Sequence, residues 1–453
     1  MQDVLILAAG EGSKFWPYQS TRNKVMFPLG NKALIQHTVE ACLAAGVNKI
    51  VIVVKHHVEP LIALFRNIPN VEFVQVNETK GTAHSFVLGM EACQDDVTIL
   101  YGDVFIPKEG LIKFLQNYEA NTIALNPLKE DPRNVIACEV KEKSIVSFGA
   151  HQRGNAMTHV ACGFHAHRSW VFYAKTNPNR FSDLKVGVGS PFESYLEESI
   201  NEMIKQKIEF KPYLISGNVY DFDKPWHALH ANAQYAVEQC SALTENSLGE
   251  NASIHESARI EGFVQLGKNS RIGHNVWVRG NVIIGENTIV DQGVILEGNL
   301  MIGDNCTVLN HAKVHGGSII GPNNKLDQGF EYLGGVTLNH VYMVHYGEYY
   351  GCIGEHSDLG AGTTCGTLRF DDGLTTHSVK GRKETPLQFS NASYLGDYTR
   401  TGVGAILMPG VKIGAYSVVG SGVILSKDVP DKRLIYVKQE LVETEWGPDK
   451  YGW

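Results

Sequence analysis

The chain has 453 residues, with 40 Lys plus Arg against 48 Asp plus Glu and a formal charge of −8. That length exceeds one hydrophobic core and predicts roughly two to four domains. The mild acidity excludes the basic stripe that nucleic acids or anionic membranes require, so no nucleic-acid or membrane partner is expected.

In chain order, the opening apolar run Val4–Leu7 is too short for a secretory segment and has no basic flank. Nothing approaches the ~20 apolar residues of a membrane span. Cysteines stand at 42, 93, 138, 162, 240, 306, 352 and 365 with no CxxC pair, so neither a zinc site nor a disulfide framework is visible. A cytoplasmic chain with reduced thiols is the expectation. Apolar runs at Val4–Leu7, Ile50–Val54, Val97–Tyr101 and Thr122–Ala124 alternate with helix-like stretches near 32–45, 57–66, 82–93 and 109–117. This alternation predicts an α/β, Rossmann-like domain over 1–240 on a mainly parallel sheet. The polar segment 241–251 reads as a linker.

From Ile254, steps of six give Ile260, Leu266, Ile272, Val278, Ile284, Val290, Leu296, Ile302, Val308, Val314, Ile320, Leu326, Tyr332 and Leu338. Neither period 3.6 nor period 2 yields this pattern. A hexapeptide β-helix does, because each face of a triangular prism turns one aliphatic side chain inward per six residues. The register resumes at Ile353 and Leu359, then at Leu395, Leu407, Ile413, Val419 and Leu425. Excursions are expected near 339–352 and 366–394. A parallel β-helix is therefore assigned to 252–438, with a tail over 439–453.

The first strand runs into Ala8-Ala9-Gly10-Glu11-Gly12-Ser13-Lys14. Glycines there let backbone N–H groups approach phosphate oxygens, although tight turns use the same residues. The loop is neither a Walker loop nor GxGxxG, since position 15 is Phe. The wider text, LAAGEGSKFWPYQSTRNKVMFPLGNKALI, resembles the opening of the sugar-1-phosphate nucleotidyltransferases. The resemblance continues through Gly81-Thr82-Ala83-His84-Ser85, Leu100-Tyr101-Gly102-Asp103-Val104 and Asp221-Phe222-Asp223-Lys224-Pro225-Trp226. It implies nucleotide contacts at Ala8, Gly10, Gly12, Gly81 and Thr82, phosphate-neutralising roles for Lys14 and Lys24, and Mg²⁺ on Asp103 and Asp221. In-line transfer to a sugar phosphate with loss of pyrophosphate needs such cations, and carboxylates suit a hard metal ion. Against the family pattern, Lys14 replaces an arginine, Asn23 a proline, and Val76 a base-reading glutamine. A sugar-binding glutamate is missing from Ser144–His151, and Ala161-Cys162-Gly163 replaces N-x-G.

Joined to a hexapeptide prism, the architecture resembles the archaeal type of bifunctional uridylyltransferase/acetyltransferase of UDP-N-acetylglucosamine synthesis. In that family the prism is a left-handed β-helix and usually trimeric. Gly354-Glu355-His356-Ser357-Asp358-Leu359-Gly360-Ala361-Gly362-Thr363, Thr367-Leu368-Arg369-Phe370-Asp371-Asp372-Gly373 and Lys380-Gly381-Arg382 carry the likeness. It implies a histidine base, here His345 with His340 as fallback. Tyr349, Asp358, Ala361, Thr367, Lys380 and Ala405 would meet the acceptor or coenzyme, with Lys427 in the same late region. Asp358 and Thr367 stand where the family has asparagines. Two activities are thus expected: nucleotidyl transfer, UTP favoured, and acyl transfer from acetyl-CoA, in a homotrimer. The alternatives are an acyltransferase with a non-catalytic nucleotide-sugar-binding domain, and a regulatory subunit of this architecture.

Overall fold

The computed structural model describes residues 2–129, 135–150, 156–176 and 194–451; His151 lies outside them. Asp3–Ala8 is central, flanked in parallel by Ile50–Val54 and Val97–Tyr101, with Val71–Gln75 beyond Ile50–Val54. These central runs are buried throughout, which is why they read as continuous apolar stretches rather than alternating ones. Across Val97–Tyr101 the sheet changes hand: His159–Ala166 runs antiparallel to it, pairing in turn with Thr122–Pro127 and Ile136–Lys141. The sheet is therefore mixed. Helices Leu34–Ala45, Val58–Phe65, Thr82–Gly89 and Lys108–Gln116 fall where periodicity placed them.

The second half is a left-handed parallel β-helix. Val264 pairs with Val282 and Val282 with Leu300, each contact one coil along. The six-residue positions from Leu266 to Tyr332 are buried inside the prism. Leu338 is the exception. It faces outward into a cluster shared with the first domain. The expected excursion at 339–352 is a change of register rather than a departure. Tyr342–Met343 pairs with Lys325–Leu326 and Met343 takes the inward place. The second excursion is real: between Cys365 and Ser393 the chain leaves the prism and makes an antiparallel hairpin, His377–Val379 with Arg382–Glu384. Ser247–Leu248 pairs with Gln265–Leu266, so the first strand of the prism lies within the segment read as linker.

The two halves are packed together. Helix Pro225–Ser241 lies along the prism, with Asn281 Nδ2 donating to the Cys240 carbonyl at 2.8 Å. Phe15, Tyr18, Phe27, Phe222 and Trp226 share one apolar cluster with Ile319, Val336, Cys352 and Tyr394. At its edge the Tyr18 hydroxyl donates to the Cys352 carbonyl at 3.1 Å, and half-buried Arg22 pairs with Asp397 and, at 3.1 Å, with Glu355.

Candidate functional site

The loop after the first strand is shaped by its glycines. Gly12 has φ +62°, and a Cβ there would come within 3.3 Å of Gln19 and Lys24 side chains, whereas Gly10 faces open space. Ala8 is buried at the strand end. Asn23 is buried and holds the far side of the loop. Its Nδ2 donates to the carbonyls of Ala8 (3.2 Å) and His56 (3.0 Å), and its Oδ1 caps the turn Lys24–Met26 by accepting from Val25 N. A proline could make none of these bonds, so the substitution at 23 exchanges ring stiffness for a staple.

Asp103 and Asp221 are brought together by backbone pairing. Asp221 pairs with Val104, and Phe222 N donates to the Asp103 carbonyl at 3.0 Å. Lys24 pairs with Asp103. Burial works against its ammonium, but Asp103, Asp223 and Asp221 outweigh that and hold it charged well above the ordinary lysine range. Lys14 lies 3.3 Å from both carboxylate oxygens of Asp223. Burial would raise the Asp223 pKa, yet Lys14, Lys24 and Lys224 pull it below the usual carboxylate range. The result is a compact field of three carboxylates and three ammonium groups. Nearby half-buried His227 is lowered to about 3, chiefly by desolvation, so it is neutral.

The second loop is equally constrained. Gly81 has φ +101°, and a Cβ there would stand 2.5 Å from the Ser194 carbonyl oxygen. Thr82 opens helix Thr82–Gly89 and its Oγ1 accepts from Leu196 N at 2.9 Å.

On the prism, His345 is exposed, Asp358, Ala361 and Thr367 are half-buried, and Lys427 is exposed. Tyr349 does not face an acceptor. It is fully buried inside the prism beside Tyr332, its hydroxyl donating to carbonyls at 352 and 393. Ala405 is likewise buried in the prism interior. His340 stacks on His356, which stacks on Tyr398 and that on Tyr416, centroids 4.8–5.1 Å apart. Lys380 lies apart from these residues. It is in the tip of the hairpin and lines a cavity with Lys14. Gly362, Gly404 and Gly422 recur on one corner with φ of +71°, +68° and +67°. Added Cβ atoms at 404 and 422 would meet nothing within 4 Å. Exposed Val403, Ile406 and Ile424 accompany them, so this corner offers a partly apolar track, open above Gly404 and Gly422.

Residues 3–134 match the family model described as nucleotidyl transferase. Similarity to curated proteins extends over almost the full length. The bifunctional protein GlmU of Methanococcus vannielii is 26% identical, covering 97% of this chain and 99% of that protein. The bifunctional protein GlmU of Methanococcus maripaludis strain C5 is 28% identical over 98% and 99%. A bifunctional sugar-1-phosphate nucleotidylyltransferase/acetyltransferase of Sulfurisphaera tokodaii is 25% identical over 94% and 98%.

In the first domain, sequence reasoning missed Asp223 and Lys224. Asp223 anchors Lys14, while Lys224 is buried and pairs across the domain boundary with Glu384 at 2.7 Å. The signal was present: two charges stand in D-F-D-K-P-W where the family pattern has a glycine and a variable position. Reasoning also missed Glu197, buried in the first turn of helix Leu196–Lys205, with neither carboxyl oxygen partnered among the described residues.

Proposed function

We propose that the chain transfers a nucleotidyl group from a nucleoside triphosphate, UTP first, to a sugar-1-phosphate, releasing pyrophosphate. The observation that carries this reading is that Asp103 and Asp221 lie on adjacent paired strands and both act on the charged, largely buried Lys24, at the foot of a glycine loop. Two adjacent carboxylates that already attract a cation fit Mg²⁺, a hard ion that takes oxygen ligands. When bound it would neutralise charge on the α-phosphate and the departing oxygens. The chain's own part is to orient the triphosphate on the glycine-loop amides and to meet its charge with Lys14 and Lys24. A phosphate oxygen of the sugar attacks the α-phosphorus. The α–β bridging bond breaks, and pyrophosphate leaves with the electron pair. The test is pyrophosphate release across triphosphates and sugar phosphates, hexosamine phosphates included. Asp103→Ala should lower turnover about 100-fold or more with an unchanged circular dichroism spectrum; undiminished turnover removes Asp103 from the metal site.

The prism supports a second, acyl-transfer site. The glycine-lined corner beside Ala361 can receive a long thin acyl carrier such as acetyl-CoA, and exposed His345 stands next to Tyr346, which lies 3.5 Å from where a Cβ on Gly362 would stand. A histidine there can take the proton of an attacking amine. His345→Ala is expected to silence CoA release in a thiol assay; a fully active variant transfers the role to another base. A homotrimer, the usual state of such prisms, would place this corner against a neighbour. Among the described residues no helix is long and apolar enough to cross a membrane, and the eight cysteines are buried free thiols, in keeping with the cytoplasm as the site of action.

A further inference from the structure

Lys14 and Lys380, assigned by sequence to different reactions, line one cavity between the two domains. Its volume is about 220 Å³, and it is lined by Ser13, Lys14, Trp16, Trp226, Ser378, Val379, Lys380 and Lys412. Lys412 is only 2% exposed. The indoles form walls: Trp16 has the Lys412 ammonium 5.9 Å from its ring, and Trp226 stacks on His377 at 4.9 Å.

The geometry points to a second anion site: this interdomain cavity binds a small phosphate-bearing molecule, with Lys412 beneath it and Lys14 and Lys380 contributed by the two domains. Three ammonium groups face the space and no carboxylate does. Lys412 pairs with Asp428 at 3.6 Å, and Glu384 adds to the acidic field around it. Burial outweighs both acids and pushes the Lys412 pKa down, a cost that a further anion in the cavity would offset. Neighbouring His377 is lowered to about 4, chiefly by burial, so it adds no charge at neutral pH. Seryl hydroxyls of Ser13 and Ser378 supply donors for the remaining oxygens. The volume equals about seven waters and lies below the ~300 Å³ of drug-sized pockets, which suits phosphate, pyrophosphate or a short phosphorylated compound and excludes a whole nucleotide. Because Lys14 belongs to the glycine loop and Lys380 and Lys412 to the prism, an anion here ties the domains together and competes with Asp223 for Lys14.

The test uses the full chain without nucleotide. Inorganic phosphate, pyrophosphate and glycerol 3-phosphate are titrated calorimetrically, with tryptophan fluorescence as a second readout. Saturable binding is expected, weakened at least tenfold by Lys380→Ala, an exposed position that leaves the fold alone, and by Lys412→Met. It should persist in Asp103→Ala. Preference for pyrophosphate would identify the leaving group of the proposed reaction as the source, the one point resting on that reading. Preference for glycerol 3-phosphate would identify a separate phosphorylated ligand. Absence of saturable binding, or binding unchanged by Lys380→Ala and lost in Asp103→Ala, overturns the site.

Discussion

Glu197 shows how much a single side chain can decide. Burial pushes its carboxyl up to about 7 from an ordinary value of 4.5, so between those values the folded protein holds a proton that the unfolded chain releases. Stability contributed by this group therefore falls as pH rises from 4.5 to 7, by about 3 kcal/mol in all. Urea unfolding at pH 5 and pH 8 should show this difference in the wild type, and Glu197→Gln should remove it; an unaltered difference would place the carboxyl in water. Nothing local marked this residue. Leu196-Glu197-Glu198 reads as an ordinary acidic first turn, and only packing against the sheet put one of the two glutamates inside. Gly81 is the opposite case: its φ and the 2.5 Å approach to Ser194 explain a glycine that the loop motif had already singled out.

Among elements, the stretch from Ser13 to Gly30 serves two purposes. Read in sequence it is a phosphate loop; in the structure its far side is also the domain interface, through Phe15, Tyr18 and Arg22. Asp397 is 1% exposed; its carboxylate accepts from Thr21 Oγ1 and, at 2.7 Å, from Glu355 N, and Arg22 is its cationic partner. Arg22→Met should cost about 3–5 kcal/mol, because it leaves that buried charge without its counter-ion. Differential scanning calorimetry should show a lower melting temperature, and an unshifted one would mean that water reaches Asp397. The prism's corners follow a rule the hexad did not reveal. Asn251, Asn269, Asn287, Asn305 and Asn323 take the left-handed conformation on successive coils, and His340, His356, Tyr398 and Tyr416 continue the row. Asparagine tolerates that conformation and its amides ladder along the corner. The switch to rings follows the change in coil length after Leu326, where the hexad count also fails.

For the molecule as a whole, the apolar cluster between domains makes each half incomplete alone. A fragment ending at residue 241 would expose Phe27, Phe222 and Trp226, now 5% accessible or less, and so large an apolar patch promotes association. Size-exclusion chromatography should find this fragment aggregated while the full chain elutes as a discrete species; a monodisperse fragment would show that the interface contributes little to solubility. Two domains, a parallel β-helix and the order of the glycine-loop and aspartate motifs were legible in the sequence itself, because periodicity and glycine placement are local constraints on backbone and burial. Tertiary structure alone decided that Tyr349 lies inside the prism. It also placed Lys14 beside Lys380 and Lys412, more than 360 residues along the chain. Those outcomes depend on which faces two separately legible domains present to one another, and pairing between distant surfaces leaves no period in either.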